Sequence, residues 1–513
     1  MADNKRIAIL IILDGWGIGK DDESNPIHVV QPKSFDRITA SYPVTSIQAS
    51  GIAVGLPWGE VGNSEVGHLT LGAGKTLYQY FPKITMAIQD GTFFENQPLK
   101  DAFAHAKETG GAVNLAGLLT KANVHASLDH LRALLRMAER EGVTKVNLHL
   151  FADGKDSPPH TLESFLTEIP REHMATLMGR YYAMDRTGNW HLTEIAYRTM
   201  LGVTSPLVTD PKPLIDRTYA ESPTEEYLPA MRFAEDKNIK DGDSLIFFNY
   251  REDSIRQLAS AFLLKNFDKF PVHAMRNLYV VTMSHYDDRF DVPVAFPADT
   301  VENPIGKVIA DRGLSQLRLA ETYKYAHVTY FFNGLREEPY QNEFRTLVPS
   351  REGIHPEQYP EMMAKDVTDR LVEAIRSRAF DFILVNYANG DTIAHTADYD
   401  AGLEAVRTID REIGRVLDAI NGDPDITLTI TADHGNVEEM ISPSGQPESQ
   451  HDPSPVPFYI VASACKGRRF INQDYLAKET LGSLADVAPT LLQLMGIPQP
   501  PDMTGRSLLD GLV

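Results

Sequence analysis

Three stretches in the last third of the chain place carboxylates beside imidazoles. NGDTIAHTAD carries Asp391 and His395, TADHGN carries Asp433 and His434, and SQHDPSPVPF carries His451. Mixed carboxylate and imidazole donors suit Mn²⁺ or Zn²⁺, whereas Ca²⁺ and Mg²⁺ take nearly all-oxygen ligands. With Asp14 of ILDGWG the set has three carboxylates and three imidazoles, enough for two ions if a hydroxyl joins them. VGNSEVGH offers that hydroxyl in Ser64, set among small residues. Two cations a few ångströms apart neutralise a phosphate and lower the pKa of a hydroxyl they hold, so a serine becomes a usable nucleophile near neutral pH. Taken singly, each histidine reads as a hydrogen-bonded structural residue and Ser64 as a turn or helix-cap serine. Their combination is what points to chemistry.

The middle of the chain supplies groups suited to an anion. GRYYAMDRTGNW carries Arg180 and Arg186, and NYREDSIRQ carries Arg251 and Arg256. Guanidinium forks grip carboxylate and phosphate at two points. The whole chain has a net charge of −21, which disfavours nucleic acid or an anionic membrane as a partner. An anionic substrate therefore needs such a local cluster.

These residues have to be held by elements, and the pattern is α/β. The expected strands are RIAILIIL, KVNLHLF, SLIFFNY, NLYVVTM, DFILVNY and DITLTIT. Between them lie helical stretches such as PEMMAKDVTDRLVEAIRSR and AGLEAVRTIDREIGRVLDAI, whose apolar residues recur at three and four. That rhythm implies largely parallel sheets covered by helices, which bind ligands at the carboxyl ends of their strands. Asp14, Asp153 to Asp156, Arg251, Asp391 and Asp433 all follow expected strands.

At 513 residues, 42 % of them hydrophobic and 23 % charged, the chain reads as a soluble protein of two domains. MADNKRIAILIILDGWG faintly imitates a secretory leader, but its apolar run ends at Asp14 without a small-residue cleavage site and is expected to be a buried strand. No run approaches the ~20 apolar residues of a membrane span, and a single cysteine, Cys465, suits a reducing cytoplasm.

The motifs ILDGWG, SGIAVGLPWGEVGNSEVGHLTLGAG, FADGKD, GRYYAMDR, ETYKYAHVTYFFNG, TADHGNVEEM and LADVAPTLLQLMGI...TGRSL, in that order, closely resemble the cofactor-independent phosphoglycerate mutases of the alkaline phosphatase superfamily. The resemblance runs from Ile12 to Leu508. It implies an isomerase that interconverts 3-phosphoglycerate and 2-phosphoglycerate with two divalent ions, Mn²⁺ foremost, and no bisphosphoglycerate. Ser64 takes the position of the serine that attacks the phosphate and becomes a phosphoserine. One ion would be held by Asp391, His395 and His451, and the other by Asp14, Ser64, Asp433 and His434. His125, Lys155, Asp156, Arg180, Arg186 and Arg251 would contact substrate, with Asp156 moving protons between the glycerate hydroxyls and Lys324 beside Ser64 and the transferring phosphate. A cytoplasmic monomer with a small-molecule substrate is expected. The competing reading is a metal-dependent phosphatase or phosphodiesterase, which has no need to clamp the departing alcohol.

Four stretches depart from the family pattern: TKANVHASL before and after His125, DGKD at Lys155, MDRTGNW at Asn189, and REDS, with Ser254 where a phosphate-contacting arginine is expected. Arg256 or Lys155 is expected to replace part of that charge. The metal motifs lie before about residue 78 and after about 300, the anion-binding ones mostly between. The expected architecture is an alkaline-phosphatase-like parallel-sheet α/β domain, 1–77 and 300–513, with an inserted second α/β domain, 78–299, that binds substrate and moves at the two crossings.

Overall fold

The computed structural model describes residues 6–470 and 480–513. Residues 1–5, the start of the leader-like segment, lie outside them. The chain divides into two compact units, Met1–Tyr78 with Asp299–Val513, and Gln79–Ala298.

The first unit is built on an eight-stranded sheet in the order Glu343–Val348, Gln316–Glu321, Phe382–Tyr387, Ile7–Leu13, Ile426–Thr431, Val456–Val461, Val44–Gln48, Gly482–Ser483. The first five strands are parallel, and Val456–Val461 runs against both its neighbours. Ile7–Leu13 sits between two parallel partners, and all seven of its side chains are buried. A strand covered on both faces has no polar side to show, hence the uninterrupted apolar run.

The helix Tyr399–Ile420 packs Ala405, Ile409, Ile413, Val416 and Ile420 into the core. Asp398 caps its start by accepting from the Ala401 N–H at 3.0 Å. The expected helix at Pro360 begins only at Ala364, because Met362 has a φ of 43° that a right-handed helix excludes.

In the second unit the order is Met231–Arg232, Met174–Gly179, Val146–Ala152, Val113–Leu119, Ser244–Phe247, Tyr279–Thr282, parallel except for the first pair. SLIFFNY yields a strand only to Phe247, since Asn249 leaves the ladder and its Oδ1 accepts the Leu118 N–H at 2.9 Å. The sheets are thus largely parallel, as the rhythm of the sequence implies.

Candidate active site

Four adjacent strands of the first unit end at one place. Leu13 leads to Asp14, Tyr387 to Asp391, Thr431 to Asp433 and Glu321 to Lys324. Gly15 passes so close to Asp391 that a Cβ there would stand 2.8 Å from the Asp391 Cα, and its φ of 70° is one that glycine adopts without strain. Ser64 is the first residue of the helix Ser64–Ala73, and Asn63 is the cap, its Oδ1 accepting the Val66 N–H at 2.9 Å. So Ser64 is not the capping serine that its surroundings suggest. Its hydroxyl stands at a helix N-terminus, where the dipole and free N–H groups favour an anion. The glycines of VGNSEVGH serve close approach to the neighbouring loop: a Cβ on Gly67 would fall 2.6 Å from the Asp433 carbonyl oxygen, and one on Gly62 2.9 Å from the His434 Cβ.

Around Ser64 the structure gathers every metal-ligand candidate of the sequence analysis. The Ser64 hydroxyl lies 3.1 Å from Asp14 Oδ1 and 2.9 Å from His434 Nε2. Lys324 Nζ donates to Ser64 Oγ at 2.8 Å and lies 2.6 Å from Asp14 Oδ1 and 2.7 Å from Asp391 Oδ2. Asp391 Oδ1 faces His395 Nε2 at 3.1 Å and His451 Nε2 at 3.0 Å. His434 Nε2 is 3.6 Å from both Asp14 Oδ1 and Asp433 Oδ2, and 3.9 Å from Asp391 Oδ1. Donor atoms of Asp391, His434 and His451, and those of Asp14, Asp433 and His434, each lie within 4.8 Å of one another.

Two features of this donor set fit cations. The Nδ1 atoms of His395, His434 and His451 face the backbone carbonyls of Ser449, Gly435 and Gly62 at 2.9, 3.2 and 2.7 Å, so the proton of each neutral ring sits on Nδ1 and the Nε2 lone pair points inward. The His395 and His451 Nε2 atoms are only 3.0 Å apart, two acceptors that need a positive charge between them. In addition, Asp14, Asp391 and Asp433 are buried beside one ammonium among the described residues, Lys324, and an excess of buried negative charge has to be compensated.

The electrostatics follow. Burial and the neighbouring Asp433 push Asp14 above the usual carboxylate range. For Asp391 burial is outweighed by Lys324 and the imidazoles, which hold it well below that range. Its hydrogen bond raises His395, and raises His451 against the opposing effect of burial. Burial alone would lower Lys324, but Asp14, Asp391 and Asp433 together raise it, so it stays charged.

In the second unit a cavity of about 300 Å³ is lined by His125, Lys155, Asp156, Arg180, Arg186 and Arg251, the substrate-contact candidates. Arg180 Nη1 donates to Asp153 Oδ1 at 2.7 Å and to Asp156 Oδ2 at 2.5 Å. Arg186 pairs with Asp253 at 2.7 Å, and Arg251 lies 3.5 Å from the same carboxylate. Lys155 is largely exposed, 3.9 Å from Glu226. The His125 loop turns through Asn123 at a φ of 59° and is tied to its neighbours where the His125 carbonyl accepts the Tyr250 N–H at 2.9 Å. Ser254 also lines the cavity, its hydroxyl 3.1 Å from Asp253. Of the two cations expected to make up for it, Lys155 lines the cavity, whereas Arg256 donates to the Tyr286 carbonyl at 2.7 Å and lies beside Glu252. Asn189 holds its own loop, donating to Asp185 at 3.0 Å.

Several residues of both candidate sites carry no assignment in the sequence: Asn436, which donates to Asp391 Oδ1 at 3.1 Å, His68 and Asn386 behind the cluster, and Asp253 beside Arg186, whereas Asp153, expected at its strand end, accepts from Arg180. Asn436, His68 and Asp253 lie inside TADHGNVEEM, VGNSEVGH and NYREDSIRQ, and Asn386 inside the strand DFILVNY, so nearness to those stretches was the one available signal.

Comparison with known proteins adds three findings. The family model of the metalloenzyme superfamily matches residues 6–499. The 2,3-bisphosphoglycerate-independent phosphoglycerate mutase of Moorella thermoacetica is 43 % identical over 516 residues, covering 98 % of both chains, and that of Pseudomonas entomophila is 41 % identical, covering 99 % of both. Among solved structures, the Leishmania mexicana phosphoglycerate mutase studied at low cobalt concentration aligns with a TM-score of 0.52 at 25 % identity, over 100 % of this chain and 99 % of its own.

Proposed function

Because the chain belongs to the metalloenzyme superfamily and, within it, to the 2,3-bisphosphoglycerate-independent phosphoglycerate mutases, we propose that Ser64 carries the phosphate between the two hydroxyls of one glycerate, converting 3-phosphoglycerate to 2-phosphoglycerate and back. The observation that carries this reading is the position of Ser64 Oγ, at a helix N-terminus and 2.8 Å from the Lys324 ammonium, among three carboxylates and three imidazoles. Asp391, His395 and His451 would hold one divalent cation, and Asp14, Ser64, Asp433 and His434 the other, with Mn²⁺ suited to this mixed donor set. When bound, the cations offset phosphate charge and lower the proton affinity of the serine hydroxyl.

The chain's own groups do the rest. Ser64 Oγ enters as the alkoxide, its proton having left to solvent, and bonds to phosphorus as the bond from phosphorus to the glycerate O3 breaks, while Asp156 enters as the neutral acid and gives O3 its proton. In the second half the O2 hydroxyl gives its proton to Asp156 and bonds to phosphorus, and the bond to Ser64 Oγ breaks. Lys324 sets its charge against the phosphoryl oxygens, and the helix N-terminus does the same. Arg180, Arg186, Arg251 and Lys155 keep the glycerate from leaving between the halves, which a hydrolase has no need to do. A substrate carboxylate on Arg180 competes with Asp156 for that guanidinium and so loosens Asp156 for proton transfer. The protein is read as a cytoplasmic monomer; among the described residues no helix is long and apolar enough to cross a membrane.

The test is ³¹P NMR of the protein with Mn²⁺ and 3-phosphoglycerate, without bisphosphoglycerate, beside Ser64→Ala. Growth of the 2-phosphoglycerate resonance with little free phosphate is expected, and a rate at least ~10⁴-fold lower in the variant, as for loss of other covalent nucleophiles. Free phosphate as the main product would instead make the protein a hydrolase.

A further inference from the structure

Behind the cluster, away from Ser64 and the imidazoles, two side chains connect two of its carboxylates. Asn386 Nδ2 lies 2.7 Å from Asp14 Oδ2 and 3.0 Å from His68 Nε2. His68 Nδ1 lies 3.1 Å from Asp433 Oδ2 and 2.8 Å from the Ser64 carbonyl oxygen. All four side chains of this chain of contacts, Asp14, Asn386, His68 and Asp433, are 0 % exposed.

The elements make the link unavoidable. Asn386 stands in register with Ile12 on the neighbouring parallel strand, two residues before Asp14. His68 is one turn after Ser64 in the helix, so the two share a face and the His68 side chain leans back towards Ser64. The close approach at Gly67 presses that turn against Asp433.

The direction of each hydrogen bond follows from the first. A carboxylate ligand only accepts, so Asn386 must turn its amide nitrogen to Asp14, and that nitrogen only donates. His68 Nε2 is therefore the acceptor, its proton sits on Nδ1, and Nδ1 donates to the Ser64 carbonyl while its positive edge stands 3.1 Å from Asp433 Oδ2. With Oδ2 tied to Asn386, Asp14 keeps Oδ1 turned to Ser64 and Lys324. Asp433 Oδ1 accepts the Gly15 and His434 N–H groups at 3.2 and 3.1 Å, which turns Oδ2 to His434 Nε2, with His68 bracing it from behind.

We propose that His68 and Asn386 are positioning residues of the metal centre: their bridge fixes which oxygens of Asp14 and Asp433 face the cations, and so sets divalent-cation affinity. The inference rests on the two-cation reading above. A buried histidine satisfied by unrelated partners would serve packing alone, whereas both ends of this one lead to opposite members of the donor set.

The experiment is Mn²⁺ titration of chelator-stripped protein, with free Mn²⁺ read by electron paramagnetic resonance, and thermal unfolding of each protein in chelator and in Mn²⁺. His68→Leu and Asn386→Leu are each expected to weaken Mn²⁺ binding about 10- to 100-fold, the usual effect of removing a group that orients a ligand. His68→Asn, whose amide nitrogen can stand near the place of Nδ1, should recover most of the loss at Asp433. The rise in Tm on adding Mn²⁺ should shrink in both leucine variants by more than the Tm in chelator falls. Unchanged Mn²⁺ affinity in the leucine variants, with Tm lowered equally in chelator and in Mn²⁺, overturns the proposal, leaving the two-cation reading intact. Wild-type protein that takes up no Mn²⁺ overturns both.

Discussion

The Lys324 ammonium lies 2.8 Å from the Ser64 hydroxyl while also contacting Asp14 and Asp391 at 2.6 and 2.7 Å. Three acceptors converge on one charge that burial opposes and carboxylates sustain. A nitrogen that keeps its proton cannot take one from Ser64, so in the proposed reaction its contribution is positive charge at the point where phosphoryl oxygens would arrive.

Lys324→Met keeps the length of the side chain and removes that charge. The expected result is a fall in kcat of roughly 10²- to 10³-fold, the range seen when one preorganised donor to a transition state is lost. Mn²⁺ affinity should hold or rise, since Asp14 and Asp391 lose a competing cation. A variant with wild-type kcat would remove Lys324 from the chemistry.

At the candidate substrate cavity the two cations expected to make up for Ser254 separate cleanly. Lys155 lines the cavity and is held only loosely, 3.9 Å from Glu226, while Arg256 is committed to the Tyr286 carbonyl. Lys155→Ala is expected to raise KM several-fold to tenfold, the worth of about 1.4 kcal/mol of binding, and Arg256→Ala to leave it near the wild-type value. Steady-state kinetics on the pair checks this, and the reverse ranking would refute it.

A third expectation concerns acid stability of the second unit. His149 is fully buried in the strand Val146–Ala152, its Nδ1 3.0 Å from Thr176 Oγ1 and its Nε2 3.1 Å from Asn114 Oδ1, and burial lowers its pKa from 6.5 to about 3. The fold therefore wants the neutral ring, while the unfolded chain takes up a proton below 6.5. Its contribution is full above pH 6.5 and is lost as pH falls towards 3, a loss on the order of 5 kcal/mol in total. Urea unfolding of the second unit between pH 7 and 4 should show a shallower decline in His149→Gln than in wild type; parallel declines would count against it.

What the sequence made legible tracks what chemistry demands of residue type. On the proposed two-cation reading the ligands must be carboxylates and imidazoles, and few other residues can stand in for Asp391, His395, Asp433, His434 or His451. The groups that orient them carry no such mark: an amide such as Asn386 could sit in any strand, and it means something only because Ile12 and Asp14 lie alongside. Strands show the same division. Ile7–Leu13 is apolar throughout and easy to see, whereas Gln316–Glu321 carries a fully buried arginine, Arg318, against Phe332 and Phe382, which interrupts the apolar signal. Glu343–Val348, at the edge of its sheet and half exposed, shows no clean alternation. The Ser64 hydroxyl was visible as a candidate, but that Asn63 rather than Ser64 caps the helix could not be known before the turn was seen.

The place of the first strand has a consequence for biosynthesis. Ile7–Leu13 is made before both strands that flank it, Phe382–Tyr387 and Ile426–Thr431, which follow hundreds of residues later. At roughly 5 to 20 residues per second of translation, this apolar heptapeptide waits on the order of twenty seconds to more than a minute without its partners. The contiguous stretch Gln79–Ala298 can complete its own sheet in that interval. The nascent chain thus carries a finished body between two parts of an unfinished one, and the strand that waits for its partners is where a holding chaperone has most to protect.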